Sequence, residues 1–188
     1  MPKCVVAISG KRKSGKDYCT KLIKEALTLK DVNVSVVGIS NSLKEQFATI
    51  NGLNYAELLT DGSYKEQFRK EMIEWGEKAR IKDSGLFCRS AIDSVIDSDV
   101  VIVSDCRRST DYEFFTSKYS TLTVRIEASE NDRKQRGFQF VAGIDDAVSE
   151  CGLDDYECDL VLYNSTGKDL QTQIDIIVLK IISLTKMN

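Results

Sequence analysis

Five short apolar runs, rich in Val, Ile and Leu, recur along the chain with longer segments of mixed polarity between them. They are Cys4–Ile8, Val34–Ile39, Val100–Val103, Leu122–Ile126 and Leu160–Tyr163. Such runs are typical of buried strands in a parallel sheet. Because helical patterns separate most of them, the alternation predicts βαβ units and an α/β fold in which helices flank five parallel strands in three layers.

Helical periodicity predicts helices from Tyr18 to Leu29, from Tyr64 to Arg80 and from about Lys168 to Thr185. The last helix has five apolar residues at the spacing of one inner face. They are Leu170, Ile174, Ile177, Val178 and Ile181.

Two insertions interrupt the alternation of strands and helices in an otherwise single domain. Residues 42–97 separate the second and third strands and are mostly helical in pattern, whereas residues 130–157 are charged and punctuated by glycine. Ligands of a parallel sheet bind beyond the carboxyl ends of its strands. We therefore expect an acceptor-binding insertion at 42–97 and a lid at 130–157. The core then consists of residues 1–41, 98–129 and 158–188.

The composition excludes several classes of protein. A chain of 188 residues with 42% hydrophobic residues suits one α/β domain, and a net charge of -3 gives no bulk attraction to nucleic acid. No apolar run approaches the roughly 20 residues of a membrane span, and no signal peptide is evident. Six scattered cysteines without a C-x-x-C pair are typical of free thiols in a reducing compartment. We expect a cytoplasmic monomer that binds neither nucleic acid nor membrane.

Histidine is absent from the sequence, which removes the commonest catalytic base. Together with the cysteine spacing, this absence argues against a structural zinc site. Any catalysis must therefore depend on carboxylates, lysines, arginines or a metal.

A glycine-rich segment follows the first strand and precedes the first helix. It reads S-G-K-R-K-S-G-K-D (Ser9–Asp17), with Gly10, Gly15 and Lys16 at the spacing of a P-loop. The N–H groups of such a loop and the positive end of the following helix suit a di- or triphosphate. The alternative is a plain β-to-α turn, which does not need four cations within six residues. Those cations are Lys11, Arg12, Lys13 and Lys16.

Asp17 stands where a P-loop usually has Ser or Thr to hold Mg²⁺. Mg²⁺ prefers carboxylate and water oxygens, so Asp17 could serve the metal directly or through water. Its alternative role is that of a carboxylate stabilised by the helix dipole.

The helix from Tyr64 to Arg80 has a basic stripe beside its apolar face. At about 100° per residue, an arc of about 60° contains Lys65, Arg69, Gly76 and Arg80. The adjoining apolar arc contains Tyr64, Phe68, Met72, Trp75 and Ala79. The glutamates are expected to face outward and to pair with lysines four residues on, which leaves the three cations of the stripe without an obvious acidic partner. The stripe predicts the wall of a cleft, and an ordinary solvated face is the alternative.

Two further clusters follow strands. Asp105 comes directly after the third strand, where an acidic residue of a P-loop protein commonly orients Mg²⁺ or its waters, and Arg107 and Arg108 follow it with the planar forks that suit phosphate. The alternative is a polar turn in which Asp105 is a cap. In the second insertion, cations followed by carboxylates between glycines are typical of a mobile lid, and a surface loop is the alternative.

Three residues near the lid are candidates for contacts with a nucleotide. Arg133 or Arg136 could reach a transferring phosphate or stack on adenine, and Asn164 follows the last strand.

Seven segments spread over nearly the whole chain form a recognisable set. They are S-G-K-R-K-S-G-K-D (Ser9–Asp17), L-K-E-Q (Leu43–Gln46), Y-K-E-x-F-R-K-x-M-I-x-W-G-E (Tyr64–Glu77), F-C-R (Phe87–Arg89), V-S-D-x-R-R (Val103–Arg108), Q-R-G (Gln135–Gly137) and D-D-A-x-S-E-C-G-L-D (Asp145–Asp154). Together they resemble the animal-type phosphomevalonate kinases, a family of the P-loop nucleoside monophosphate kinase-like group. A P-loop that ends in aspartate belongs to this family.

The resemblance implies transfer of the γ-phosphoryl group of Mg·ATP to (R)-5-phosphomevalonate, in the mevalonate pathway of isoprenoid and sterol biosynthesis. The implied catalytic residues are Lys13, Lys16, Asp17, Asp105 and Arg108, of which Asp17 and Asp105 would hold Mg²⁺ directly or through water. The implied ATP contacts are Lys11, Arg12, Lys13, Ser14, Gly15, Lys16, Asp17, Arg136, Asn164 and Gln173, to which the patterns described above add Gly10 and Arg133. The implied acceptor contacts are Lys44, Lys65, Arg69, Arg80, Arg89, Arg107 and Arg108.

Two other functions remain open from the sequence. One is a nucleoside monophosphate kinase, and the other is a P-loop nucleotide-binding regulatory protein without turnover. An N-K-x-D motif, which would favour a GTPase switch, is absent from the sequence.

Overall fold

The computed structural model describes residues 1–60, 62–95 and 97–187. Within them, five strands form one parallel sheet in the order β2-β3-β1-β4-β5. The strands are β1 (Cys4–Ser9), β2 (Val34–Val37), β3 (Val100–Val103), β4 (Thr121–Glu127) and β5 (Leu160–Tyr163). The predicted five-stranded parallel sheet is confirmed, and β1 lies at its centre.

Helices connect the strands and form both insertions. They are α1 (Lys16–Thr28), α2 (Ile39–Asn51), α3 (Tyr55–Leu59), α4 (Ser63–Lys82), α5 (Leu86–Asp93), α6 (Ser109–Lys118), α7 (Glu130–Gln135), α8 (Val148–Cys151) and α9 (Leu170–Met187). In the described part of the chain, no helix combines the length and the apolar character that crossing a membrane requires.

The sheet separates two hydrophobic cores, because successive residues of a strand point to opposite faces. On one face, Val6 packs with α1 and with the buried residues of α9, and on the other, Val5 packs with α5 and α6. The predicted inner face of α9 is confirmed: Ile174, Ile177, Val178 and Ile181 are buried, and Leu170 packs at the edge. The layers are therefore helix, sheet and helix, as predicted.

The insertion after β2 has a small core of its own, made by Phe47, Ala48, Leu58 and Met72. It holds α4 beyond the carboxyl end of the sheet. The prediction that the second strand extends to Ile39 is wrong, because Ile39 begins α2. The carboxylate of Asp105 accepts a hydrogen bond from the Ile39 N–H (2.6 Å) and starts the helix there.

Candidate active site

The P-loop joins β1 to α1 through a backbone that turns sharply. Gly10, Lys13 and Gly15 have positive φ angles of 148°, 62° and 88°. A Cβ on Gly10 would lie 2.4 Å from the carbonyl oxygen of Ile126, so only glycine fits this approach to β4. The loop thus encircles the N-terminus of α1, whose first N–H groups have no partner within the helix.

Lys16 is the first residue of α1, and its side chain folds back towards the loop. Its Nζ donates hydrogen bonds to the carbonyl oxygens of Gly10 and of Lys11, the latter at 3.3 Å. Burial lowers the pKa of Lys16 from its ordinary value, and the positive charge of Arg107 lowers it further, whereas nearby carboxylates act in the opposite direction. The amine therefore lies in a partly desolvated site among mixed charges.

A cavity of about 370 Å³, called here the P-loop cavity, opens in front of Lys16. Its lining residues are Arg12, Lys13, Lys16, Asp17, Gly38, Ser40, Asn41, Ser104, Asp105 and Arg107. β3 pairs with β1 in parallel register, with Ala7 opposite Val103, so the segments that follow the two strands leave the sheet at the same level. The structure therefore brings Lys16, Asp17 and Asp105 to one cavity.

Asp105 connects the segment after β3 to α2. Its Oδ1 accepts the N–H of Ile39, and its Oδ2 accepts the N–H of Ser40 at 2.9 Å. The carboxylate thus caps α2, which is a distant helix in the sequence, and it lies at the positive end of that helix. Each carboxylate oxygen has a second lone pair that could accept a metal ion or a metal-bound water.

A second cavity, of about 380 Å³ and called here the α4 cavity, lies between α2, α4 and residues 130–157, which are called here the lid segment after their predicted role. Its lining residues are Ile39, Ser40, Leu43, Lys44, Lys65, Arg69, Met72, Ile73, Gly76, Glu77, Arg80, Asp105, Arg107, Arg108, Asp111, Gly143 and Ala147. Ser40, Asp105 and Arg107 line both cavities, so the two adjoin.

Six of the seven basic residues predicted to contact an acceptor line the α4 cavity; they are Lys44, Lys65, Arg69, Arg80, Arg107 and Arg108. Arg89 is not among the described residues that line either cavity. It forms an ion pair with Asp83, at the end of α4, instead.

The prediction that Arg69 and Arg80 lack acidic partners is wrong. Arg69 forms two hydrogen bonds with Glu66, of 2.7 and 2.5 Å, one turn earlier in α4. Arg80 donates from Nη1 to Oδ1 of Asp111 at 2.8 Å, and this carboxylate comes from α6. Helical spacing could not show the second pair because the two residues are 31 positions apart.

The prediction that the glutamates of α4 all face outward is also wrong, because Glu77 lines the α4 cavity. Its Oε2 accepts a hydrogen bond of 3.0 Å from Nη1 of Arg108, and Oε1 accepts a second one from Nη2. Arg108 is thereby held against α4, at the edge of the cavity.

The lid segment contacts the P-loop through carboxylates, and the sequence pattern does not predict these pairs. Oε2 of Glu150 accepts the N–H of Arg12 at 3.2 Å, and Oε1 pairs with Nη1 of Arg107. Oδ2 of Asp145 lies 3.3 Å from Nη1 of Arg12. Carboxylates of the lid segment therefore partly neutralise the cations of the P-loop.

Asp154 makes a further contact of the same kind. Its Oδ2 lies 2.6 Å from Nζ of Lys11, and its Oδ1 accepts a hydrogen bond of 2.7 Å from Arg125 of β4. Burial disfavours the charged carboxylate, but the hydrogen bonds and charges of both cations outweigh it and lower the pKa of Asp154. Lys11 is thus held towards the lid segment.

Arg136 and Asn164 brace the P-loop from the other side. Arg136 donates to the carbonyl oxygens of Ser14 (3.0 Å) and Asn164 (2.7 Å), and Nδ2 of Asn164 donates to the same Ser14 oxygen (2.9 Å). Both predicted nucleotide contacts thus lie beside Gly15, where a Cβ would be 2.2 Å from Nδ2 of Asn164.

Arg133 and Gln173 occupy different surroundings. The guanidinium of Arg133 lies 3.9 Å from the ring centroid of Phe138, and its Nε donates to the carbonyl oxygen of Arg12 at 2.9 Å. Gln173 bonds to the backbone N–H and carbonyl of Tyr163, at 2.8 and 3.2 Å, and so braces the end of β5. Gln173 is not among the described residues that line the two cavities.

Known proteins similar to this chain include members of one kinase family. A family model described as phosphomevalonate kinase matches residues 8–121. A phosphomevalonate kinase of Drosophila melanogaster is 38% identical, over 93% of this chain and 94% of that protein.

Two crystal structures share the fold at low identity. The APS kinase of Mycobacterium tuberculosis in complex with AMPPNP and APS aligns with a TM-score of 0.52 at 14% identity, over 99% of both chains. A Thermus thermophilus protein aligns with a TM-score of 0.53 at 12% identity, over 97% of this chain and 98% of that one. On the family match and the Drosophila relative, this chain belongs to the phosphomevalonate kinase family.

Proposed function

We propose that this chain transfers the γ-phosphoryl group of ATP to the phosphate of phosphomevalonate, giving diphosphomevalonate and ADP. Family membership supports the reaction. One observation supports the assignment of the reaction to this site. Two cavities of similar volume adjoin beyond the carboxyl ends of the strands and share Asp105 and Arg107. A donor in the P-loop cavity and an acceptor in the α4 cavity would meet at these two residues.

Charge explains why such a junction needs cations. Two unit negative charges about 4 Å apart repel by about 4 kcal/mol at an effective dielectric constant near 20, and the two substrates bring several such charges together. Arg107 lines both cavities and can offset this repulsion from between the phosphates. Arg108 and the cations of α4 would bind the rest of the acceptor anion.

The acceptor phosphate is already an anion, so the reaction needs no strong base, in agreement with the absence of histidine from the sequence. Catalysis then consists of positioning and charge stabilisation. Lys16 would contact the β- and γ-phosphates from the P-loop, and Lys13 and Arg108 would stabilise charge on the transferred group. Arg136 and Asn164 would hold the nucleotide side of the loop.

The residues of the P-loop cavity also suit Mg²⁺, which neutralises charge on the phosphates when it is bound. Asp17 and Asp105 line the cavity together, and either could hold the ion directly or through water. In the described part of the chain, no cluster of three or more Asp, Glu, His or Cys side chains could hold a metal. Two carboxylates completed by substrate phosphates and water fit the way proteins usually bind Mg²⁺.

The remaining assignments follow from this scheme. Residues 42–97 would bind the acceptor, residues 130–157 would act as the lid, and the core segments would bind ATP. All six cysteines are free thiols, which agrees with a cytoplasmic location. We propose that the protein acts there as a monomer.

An ADP-release assay tests the proposed function directly. With ATP and Mg²⁺, phosphomevalonate is expected to stimulate ADP release strongly, and mevalonate and nucleoside monophosphates are not. Stimulation by a nucleoside monophosphate alone would assign a different acceptor. Slow hydrolysis that no acceptor stimulates would instead indicate a nucleotide-binding regulatory protein.

Gly76→Ala is expected to raise the KM for phosphomevalonate several-fold with little change in the KM for ATP. A Cβ on Gly76 would lie 2.7 Å from Cδ1 of Leu43, and both residues line the α4 cavity. Overpacking of about 1–3 kcal/mol would push the Leu43 side chain into the space for the acceptor. Steady-state kinetics with each substrate varied measures the effect.

The matched control is the double variant Gly76→Ala/Leu43→Val, which removes the clashing end of the leucine. It should recover most of the acceptor KM. An unchanged KM in Gly76→Ala would show that the acceptor does not use this wall of the cavity.

A further inference from the structure

Glu150 is a nearly buried carboxylate between two parts of the site. Its side chain is only 5% exposed, although it lies in α8, a short helix of the lid segment. It is not among the described residues that line either cavity. The carboxylate therefore lies behind the residues that line the two cavities.

The two oxygens of this carboxylate bond to different elements. Oε2 accepts the backbone N–H of Arg12 in the P-loop, and Oε1 accepts from Nη1 of Arg107 after β3. The two partners lie 138 and 43 positions away in the sequence. One side chain of the lid segment thus fixes the distance between the loop that binds the donor and the arginine at the junction.

Burial makes this arrangement specific. A buried carboxylate is strongly destabilising unless it is paired and hydrogen-bonded, so Glu150 has little freedom to take another rotamer. Arg107 is held at its other end as well, because its backbone N–H donates to Oδ2 of Asp111 at 3.0 Å. The guanidinium has five N–H donors, so one bond to Glu150 is compatible with contacts to phosphate.

We infer that Glu150 is a positioning residue, which holds the guanidinium of Arg107 at the junction of the two cavities and ties it to the P-loop. The inference rests on the proposed function and deepens it. Arg107 contacts donor and acceptor, and Glu150 acts only through Arg107 and the Arg12 N–H. The position of α8 therefore sets the position of the shared arginine.

Glu150→Gln keeps the shape of the side chain and removes its charge, so it tests this role. We expect kcat to fall by about 10²-fold, which is the loss that displacement of a catalytic group by about 1 Å can cause. The KM for ATP should stay the same or fall, because the substitution removes a negative charge near Lys16 and therefore reduces repulsion of the ATP phosphates. A variant with normal kcat would overturn the inference, and so would a loss confined to the KM for ATP.

A double-variant cycle separates positioning from an independent effect. In an Arg107→Gln background, Glu150→Gln should lower kcat by less than about twofold, because the group that it positions is gone. Additive losses in the double variant would show that Glu150 does not act through Arg107. Glu157→Gln, an exposed glutamate of the same segment, is the matched control and should keep wild-type kinetics.

Folding and function can be distinguished in the same experiment. The wild-type ADP-release assay tests the proposed function before any variant is made, so its failure is separate from that of the inference. Should Glu150→Gln fail to fold, Glu150→Asp keeps the charge and shortens the side chain by one methylene. It should lower kcat with the KM for ATP unchanged, and wild-type kcat in this variant would contradict the positioning role.

Discussion

Replacing Lys16 by methionine is expected to lower kcat by about 10³-fold or more while the protein stays folded. Removal of one well-placed donor to a developing charge commonly has an effect of this size. Hydrogen bonds to the carbonyl oxygens of Gly10 and Lys11 hold the amine of Lys16 at the P-loop. Methionine keeps the unbranched length of the side chain but neither its charge nor its donors. Single-turnover kinetics with saturating ATP and acceptor measures the loss in the chemical step.

The pH dependence gives a second check on Lys16. Burial and Arg107 lower its pKa, so in the free enzyme the amine loses its proton at a lower pH than an ordinary lysine, whose pKa is about 10.4. The kcat/KM profile should therefore decline on its alkaline side below that value. Bound phosphates favour the charged amine, so the corresponding decline in kcat should lie at higher pH.

Lys24→Met is the matched control for this variant, because Lys24 is an exposed lysine of the same helix. It should keep wild-type kcat and the same thermal unfolding midpoint. If Lys16→Met retained near-normal turnover, Lys16 would have no catalytic role, and the proposed placement of the γ-phosphate would be wrong.

Local patterns were sufficient for most of the fold and for the P-loop. The apolar run before Gly10 and the helical pattern after Lys16 specify strand, loop and helix from residues that are close in the sequence. The end of β2 is an exception, because a residue distant in the sequence determines it. Ile39 looks like a strand residue by its side chain, but a hydrogen bond from its N–H to Asp105, 66 positions away, makes it the start of a helix.

The acidic partners of the P-loop cations could not be predicted, because they too are distant in the sequence. The pairs of Glu150 with Arg12 and of Asp154 with Lys11 join residues more than a hundred positions apart, and no spacing rule connects them. The only available signal was chemical: a dense group of cations in an acidic protein needs counter-charges. A bound polyphosphate accounts for only part of that need, because Glu150, Asp145 and Asp154 of the lid segment supply carboxylates to the same cations.

Arg80→Met is expected to lower the free energy of unfolding by about 3–5 kcal/mol, the usual effect of removing one partner of a buried ion pair. Asp111 is 1% exposed and Arg80 13% exposed, so little water can replace the lost guanidinium. Arg80 also lies 5.2 Å from the ring centroid of Phe87, and methionine keeps only part of that contact. Urea denaturation followed by circular dichroism measures the change.

The size of this loss shows whether the ion pair of Arg80 stabilises the fold. An exposed pair contributes about 0–1 kcal/mol, so a loss below about 1 kcal/mol would mean that this pair does not stabilise the fold. Lys78→Met removes an exposed cation from the same helix and should change the free energy of unfolding by less than about 0.5 kcal/mol. A large loss in Arg80→Met against this control would establish that α4 is held to α6 through Asp111. Because Asp111 also accepts the N–H groups of Arg107 and Arg108, this buried pair would then support the whole arginine segment at the junction of the two cavities.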